Sequence, residues 1–195
     1  MGVAILLAAA AVPALQGLAR SGPRKQAVGQ LMSAIETARN SALSAGGQTA
    51  VIFPDQTFNP NFYAYRTLAV VRRTSENAAA EMVGGWIGFP DGIALFPESL
   101  GRLPRFTNVT VVVPPTQSVP GRDYPAIIFQ SDGGLRPESD GSYPTTNGVA
   151  IFEGVVKNGV AVLVNPSQER FETIVLTPFT GRGRGTLAPK PGTNP

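Results

Sequence analysis

The chain has neither cysteine nor histidine among its 195 residues. Without cysteine there is no thiolate nucleophile, no disulfide framework and no sulfur ligand for a metal. Without histidine the commonest general base and the commonest nitrogen ligand are missing as well, which removes most enzyme classes. The lack of cysteine leaves the redox compartment open, because a chain of this length can build a core that needs no bridges. Charge is scarce too: Asp, Glu, Lys and Arg make up 15% of the residues, against roughly 25% in ordinary soluble domains. The balance is only +3, too weak a field to hold nucleic acid by neutralising phosphates, so no nucleic-acid partner is expected.

What is present is apolar, at 43% of the chain, and one domain with a real core is expected. Met1 to Leu18 reads MGVAILLAAAAVPALQGL and carries no charge before Arg20. As a helix it would be roughly 27 Å long, just enough to reach across a bilayer. Val3, Ile5, Leu6, Leu7, Val12, Leu15 and Leu18 together contribute only roughly −2 to −4 kcal/mol of insertion energy, from which Pro13, Gln16 and the glycines subtract. Three readings compete. A cleaved secretory signal would place a basic region ahead of the apolar run, and none stands there. A buried core helix is the plain structural reading, yet Ala and Leu on every side leave no face for water. A membrane anchor continuous with the following helix is the third.

That following helix is clearer. From Arg24 to Ala45, Val28, Leu31, Ile35, Ala38 and Ala42 recur at spacings of three and four, with Gln30, Glu36, Arg39 and Asn40 between them, the pattern of one apolar face packed on a head. Gly46-Gly47 supplies a helix stop. Gly22-Pro23 predicts a kink or break. Arg20, Arg24 and Lys25 stand either where an apolar rod leaves a bilayer or on a solvated helix face.

After Gly47 the pattern turns to short runs of Val, Ile, Phe and Tyr punctuated by Pro, Gly, Asn and Asp, the signature of strands. Strands are expected near 50–53, 62–73, 83–89, 93–96, 108–113, 126–130, 149–152, 160–164 and 171–177. Pro90-Asp91-Gly92, Ser131-Asp132-Gly133-Gly134 and Asn158-Gly159 supply tight turns, the last a type I′ hairpin signal, so antiparallel pairing is expected. Residues 76–82 have the alanines for a helical turn or two but no deciding pattern. The expected class is α+β: a long N-terminal helix over 1–46, kinked or broken near Pro23 and packed on an antiparallel β-rich head over 47–186, then a loose tail over 187–195.

Several stretches resemble a known family. AILLAAAAVPAL, with Pro13, is similar to the second half of the apolar helix of type IV pilins, and QLMSAIETARNSALSAGGQTAVIF to that family's amphipathic half and first strand. WIGFPDGIALF, AIIFQSDGGLRP and FETIVLTPFTGRGRG resemble recurrent strand-turn segments of the minor pseudopilins of type II secretion, H type, and of FimT-like pilins. The family's basic leader, its cleavage site after Gly and its Phe-Thr-Leu-x-Glu segment do not precede Val3, so the chain reads as if it starts inside the helix. The resemblance implies a pilin-like fold and a single-pass subunit of the bacterial inner membrane with its head in the periplasm. It implies a subunit cleaved and N-methylated by a prepilin peptidase, whose partners are other pilin or pseudopilin subunits, membrane lipid and a secretion assembly platform. Val3, Ile5, Leu6, Leu7, Val12, Pro13, Leu15 and Leu18 would then form the membrane and assembly helix, and Val28, Leu31, Ile35, Ala38 and Ala42 the helix-to-head contact. Two rivals are a surface or DNA-uptake minor pilin and a secreted β-sandwich binder or enzyme.

No catalytic residue, cofactor or metal is expected. Glu138 with Asp140 and Asp123 with Asp132 are carboxylate pairs on paper, better read as solvated loop residues. The Asp132 to Gly141 loop offers oxygen ligands for calcium but lacks EF-hand spacing and contains Arg136. Gly181-Arg-Gly-Arg-Gly185 superficially resembles a phosphate loop, but LAPKP follows it instead of a helix. Asn108-Val-Thr110 is a glycosylation sequon of the kind that arises by chance, and Trp86 and Phe89 read as packing before they read as a ligand shelf.

Overall fold

The computed structural model describes residues 2–75, 78–113, 117–137, 141, 143, 148–165 and 170–189, with side chains for these except 2–21, 117, 170, 188 and 189. One long helix, α1 (Gly2–Ala45), leads into eleven strands: β1 (Gln48–Ile52), β2 (Thr67–Arg73), β3 (Ala80–Met82), β4 (Ile87–Gly88), β5 (Ile93–Leu95), β6 (Arg105–Val113), β7 (Gln117–Phe129), β8 (Gly148–Lys157), β9 (Val160–Leu163), β10 (Arg170–Leu176) and β11 (Gly183–Pro189). A single helical turn, α2 (Pro97–Leu100), sits between β5 and β6.

The first sheet runs β1-β7-β6-β3-β2 and closes because β1 also pairs with β2, making a five-stranded barrel with β4 as an appendage on β2. Alternate residues fill its interior: Ala50 and Ile52 from β1, Ala69 and Val71 from β2, Phe106, Val109 and Val111 from β6, and Tyr124, Ala126 and Ile128 from β7. The intervening residues Val51, Leu68, Val70, Ile127 and Phe129 point outward into a second core. The inner strands are therefore buried on both faces, which is why AVIF and AIIF read as continuous apolar runs. At the barrel end Arg73 is buried, donating through Nε to Gln48 Oε1 at 2.9 Å and lying 4.3 Å over the Phe106 ring.

The second sheet runs β11-β10-β8-β5, with β9 folding back on β8. Its inner face contributes Leu95, Val149, Ile151, Ile174 and Leu176 to the same core that takes the barrel's outer residues and Ala27, Leu31, Ala34, Ile35, Ala38 and Ala42 of α1. Helix, barrel and sheet thus share one apolar interior, and the second half of α1 is held between two β layers. A separate aromatic cluster of Phe96, Phe152 and Phe171 covers the far side of this sheet.

The expected α+β class is corrected by this architecture. The chain is mostly β, with one long helix that does not rest on a simple antiparallel head: the β body is a closed barrel plus a second sheet, and β3 pairs with β6 in parallel. Barrel closure depends on the long-range β1–β2 and β1–β7 ladders, and local periodicity carries no trace of it. Nor is the helix broken near Pro23, since α1 is continuous from Gly2 to Ala45. An interior proline removes its own donor and crowds the carbonyl four residues back, at a cost of about 3 kcal/mol, and burial of the stripe from Ala27 to Ala42 offsets that cost. The helix ends at Gly46, in the left-handed region at φ 66°, whose N–H donates to the Ala42 carbonyl. β11 extends the ordered body to Pro189, past the expected boundary at 187, because it pairs along all of β10. Residues 190–195 lie outside the described residues.

Candidate assembly surfaces

α1 carries most of the residues singled out from sequence. Val3, Ile5, Leu6, Leu7, Val12, Pro13, Leu15 and Leu18 belong to its continuous helical backbone, but their side chains lie outside the described residues. Further along, Val28 is half-buried, and Leu31, Ile35, Ala38 and Ala42 are fully buried. Ala27 and Ala34 complete the buried stripe; the spacing of the larger apolar residues does not single them out, because alanine's small side chain marks a face only weakly.

Two polar contacts fasten the helix on either side of that stripe. Arg24 Nη2 donates to Glu153 Oε1 on β8 at 2.6 Å, and Arg39 Nε donates to the Thr180 carbonyl at 2.6 Å. Of the basic trio, Arg24 is thereby committed to the protein body, Lys25 is exposed, and the Arg20 side chain lies outside the described residues. Among the described residues, no helix is long and apolar enough to cross a membrane.

The β8–β9 hairpin presents an apolar face to solvent. Its two-residue turn, Asn158-Gly159, has φ 52° and 78°, as a type I′ turn requires. Val155 and Val162 face each other across the ladder, and Val160 and Val164 flank them on the same side, all exposed. Four neighbouring valines form a patch, where scattered single ones would need no explanation.

A second surface lies where the chain leaves β2 between β3 and β4. Tyr63, Glu81, Met82, Gly84, Gly85, Trp86, Thr110 and Val112 line a cleft there. The Trp86 indole N–H donates to the Val112 carbonyl at 2.9 Å and its ring packs on Tyr63 and Phe58. Trp86 therefore pins the β3–β4 excursion onto β6, while Phe89 is simply buried.

The carboxylate candidates are occupied or undescribed. Asp123 on β7 accepts the Asn108 backbone N–H at 3.1 Å across the irregular stretch of β6, and Asp132 accepts the Gly134 N–H at 2.8 Å within a turn. Glu138 and Asp140 lie outside the described residues, and with them most of the proposed calcium loop. Among the described residues, no group of three or more acidic side chains is placed to hold a metal. The glycine-arginine segment is a turn into β11, not the mouth of a helix: Gly181 has φ 62° and Thr177 N–H donates to the Arg182 carbonyl. Inside the barrel, burial pushes the Tyr124 phenol up to about 12. Burial also raises Tyr65.

Sequence reasoning missed a third surface, a cleft of about 300 Å³ between the α2–β6 connection and the segment after β7, lined by Arg102, Leu103, Pro104, Arg105, Ile128, Arg136 and Pro137. Its arginines are scattered along the chain and form no motif. No family model, curated protein or solved structure matches the chain.

Proposed function

We propose that the chain is a structural subunit of a pseudopilus or type IV pilus-like filament, most simply in type II protein secretion, and that it acts by assembly and not by catalysis. The observation that carries this reading is the disproportion within α1. The helix is 44 residues long, about 66 Å at 1.5 Å per residue, while its described buried residues span only Ala27 to Ala42. Ahead of them stands a stretch with no charge from Met1 to Ala19. Such a rod is stable in lipid and equally so among identical helices, with Ala8 to Ala11 permitting close approach. Transfer from inner membrane to filament would leave little apolar surface in water. The valine face of the β8–β9 hairpin is a natural contact surface for neighbouring periplasmic heads, and an assembly platform would be the inner-membrane partner.

The absence of His and Cys from the sequence and the use of Asp123 and Asp132 as acceptors for backbone N–H groups support a role without chemistry. Because the native chain has no cysteine, the test is direct. Leu7→Cys and Ala11→Cys variants should remain in the membrane fraction of a bacterial host and form disulfide-linked multimers on oxidation. A full-length chain that is freely soluble and monomeric, with the opening stretch folded against its own body, overturns the reading. Mass spectrometry showing cleavage near Ala19 would instead make it an exported soluble protein.

A further inference from the structure

We infer that the arginine-rimmed cleft beside β6 and β7 is a docking site for an acidic peptide segment of a partner protein, in which one carboxylate sits among the guanidinium groups and an adjoining apolar side chain rests on the cleft floor. Three observations carry this. Arg102, Arg105 and Arg136 all line one cleft, together with Leu103, Pro104, Ile128 and Pro137. Only one of the three has an ionic partner among the described residues: Arg105 Nη1 lies 3.2 Å from Asp55 Oδ2. That contact, with a second from the same nitrogen to the Asp123 carbonyl at 3.4 Å, holds Arg105 in place while its side chain stays 53% exposed. Among the described residues no carboxylate pairs with Arg102 or Arg136, so the described cleft carries an excess of positive charge in a chain whose overall balance is only +3.

The shape selects the occupant. A volume of about 300 Å³ exceeds what a lone inorganic anion fills, and Pro104 and Pro137, both half-buried, give the cleft its apolar floor. Both prolines line the same cleft as the three arginines, so the charged rim and the apolar floor are continuous. Guanidinium groups receive a carboxylate through paired N–H donors, and an apolar floor rewards a stem or neighbour that a free ion lacks. A membrane surface would call for a flat basic face; this one is recessed. Backbone hydrogen bonds fix the walls: Arg136 N–H donates to the Ile128 carbonyl at 2.9 Å and Leu103 N–H to the Leu100 carbonyl at 3.1 Å. None of this depends on α1, so the inference stands or falls apart from the filament reading.

The test is a titration of the full chain, held in neutral detergent, with a capped Leu-Glu-Leu peptide, followed by calorimetry and by amide chemical shifts. Saturable binding should move the amides of residues 102–105, 128 and 136. Replacing the peptide glutamate by glutamine should weaken binding at least tenfold, and so should the Arg102→Ala/Arg136→Ala double variant. If that variant does not fold, the glutamate-to-glutamine comparison on the native chain decides. Equal binding of the two peptides, no loss in a folded double variant, or no shift at these amides overturns the inference. So does saturation by inorganic phosphate at the same concentration, which would mark an anion site, or retention by phosphatidylglycerol vesicles of a chain that ignores the peptide.

Discussion

Arg24 on α1 and Glu153 on β8 meet at 2.6 Å, one residue past Pro23 and one turn before Ala27, the first buried residue of the helix among those described. The pair ties the helix to the second sheet at the point where its buried stripe begins. Both side chains are roughly one-third exposed, so solvent screens them, and a coupling of about 0.5–1 kcal/mol is expected. A double-mutant cycle with Arg24→Ala and Glu153→Gln in urea denaturation measures it. The coupling should fall as salt rises; a coupling that ignores salt would mean the contact is not ionic in origin.

The stripe itself should matter more than its tether. Leu31 and Ile35 are wholly buried in the core shared by helix, barrel and second sheet. Leu31→Ala should cost roughly 2–5 kcal/mol and Ile35→Val about 0.5–1.5. Ser33 and Asn40 lie on the exposed face, and alanine at either should stay within about 0.5 kcal/mol of the parent. Equal effects on both faces would show that the helix does not pack as described.

At the turn between β10 and β11, Gly181 has φ 62°, and a Cβ there would stand 2.3 Å from the Gly133 carbonyl and 2.8 Å from the Phe129 ring. Backbone strain of about 1–2 kcal/mol adds to an overpacking cost of about 1–3, so Gly181→Ala should lower stability by roughly 2–5 kcal/mol. Gly29, on α1 with open space around it, is the control: alanine there should stabilise by about 0.5–1 kcal/mol. Thermal unfolding of the two variants should therefore shift in opposite directions.

These positions differ in how far the sequence announces them. The stripe from Val28 to Ala42 and the stop at Gly46 follow from spacing and glycine chemistry, both local. Asn158-Gly159 is legible for the same reason, since only such a pair enters a type I′ turn without strain. β7 is not legible: thirteen residues long, it contains Pro120, Pro125 and Gly121 at φ 66°, which read as loop. The ladder tolerates Pro120 and Gly121 because the β6–β7 register is irregular between Phe106 and Val111, leaving places where no donor is required, while Pro125 pairs with Arg105 at the first position of β6. The parallel β3–β6 pairing and the arginine cleft are products of closure, joining segments dozens of residues apart. A single-sequence reading has no term for such meetings, and it therefore found the helix face and missed both the barrel and the cleft.

Tyr124 gives the sharpest test of the barrel interior. Its hydroxyl is buried and has no hydrogen-bond partner among the described residues, and the residue is 2% exposed among Phe58, Ala126 and their neighbours. Burial pushes its ionisation up to about 12, with Arg122 opposing and Asp55 adding slightly. Between the ordinary tyrosine value of about 10 and 12, the unfolded chain has released this proton while the folded chain keeps it. The unfolded state then binds fewer protons, so stability falls as pH rises across that window and is unaffected by this group below it. Tyr65 is raised in the same direction, so Tyr124→Phe should flatten only part of the alkaline loss. The same variant removes an unsatisfied buried hydroxyl and should be neutral to about 1 kcal/mol more stable at pH 7. Urea midpoints at pH 7 and pH 11 for parent and variant separate the two effects. A variant that is destabilised at pH 7 and as alkali-sensitive as the parent would mean that the phenol is hydrogen-bonded and that the barrel interior is not dry around it.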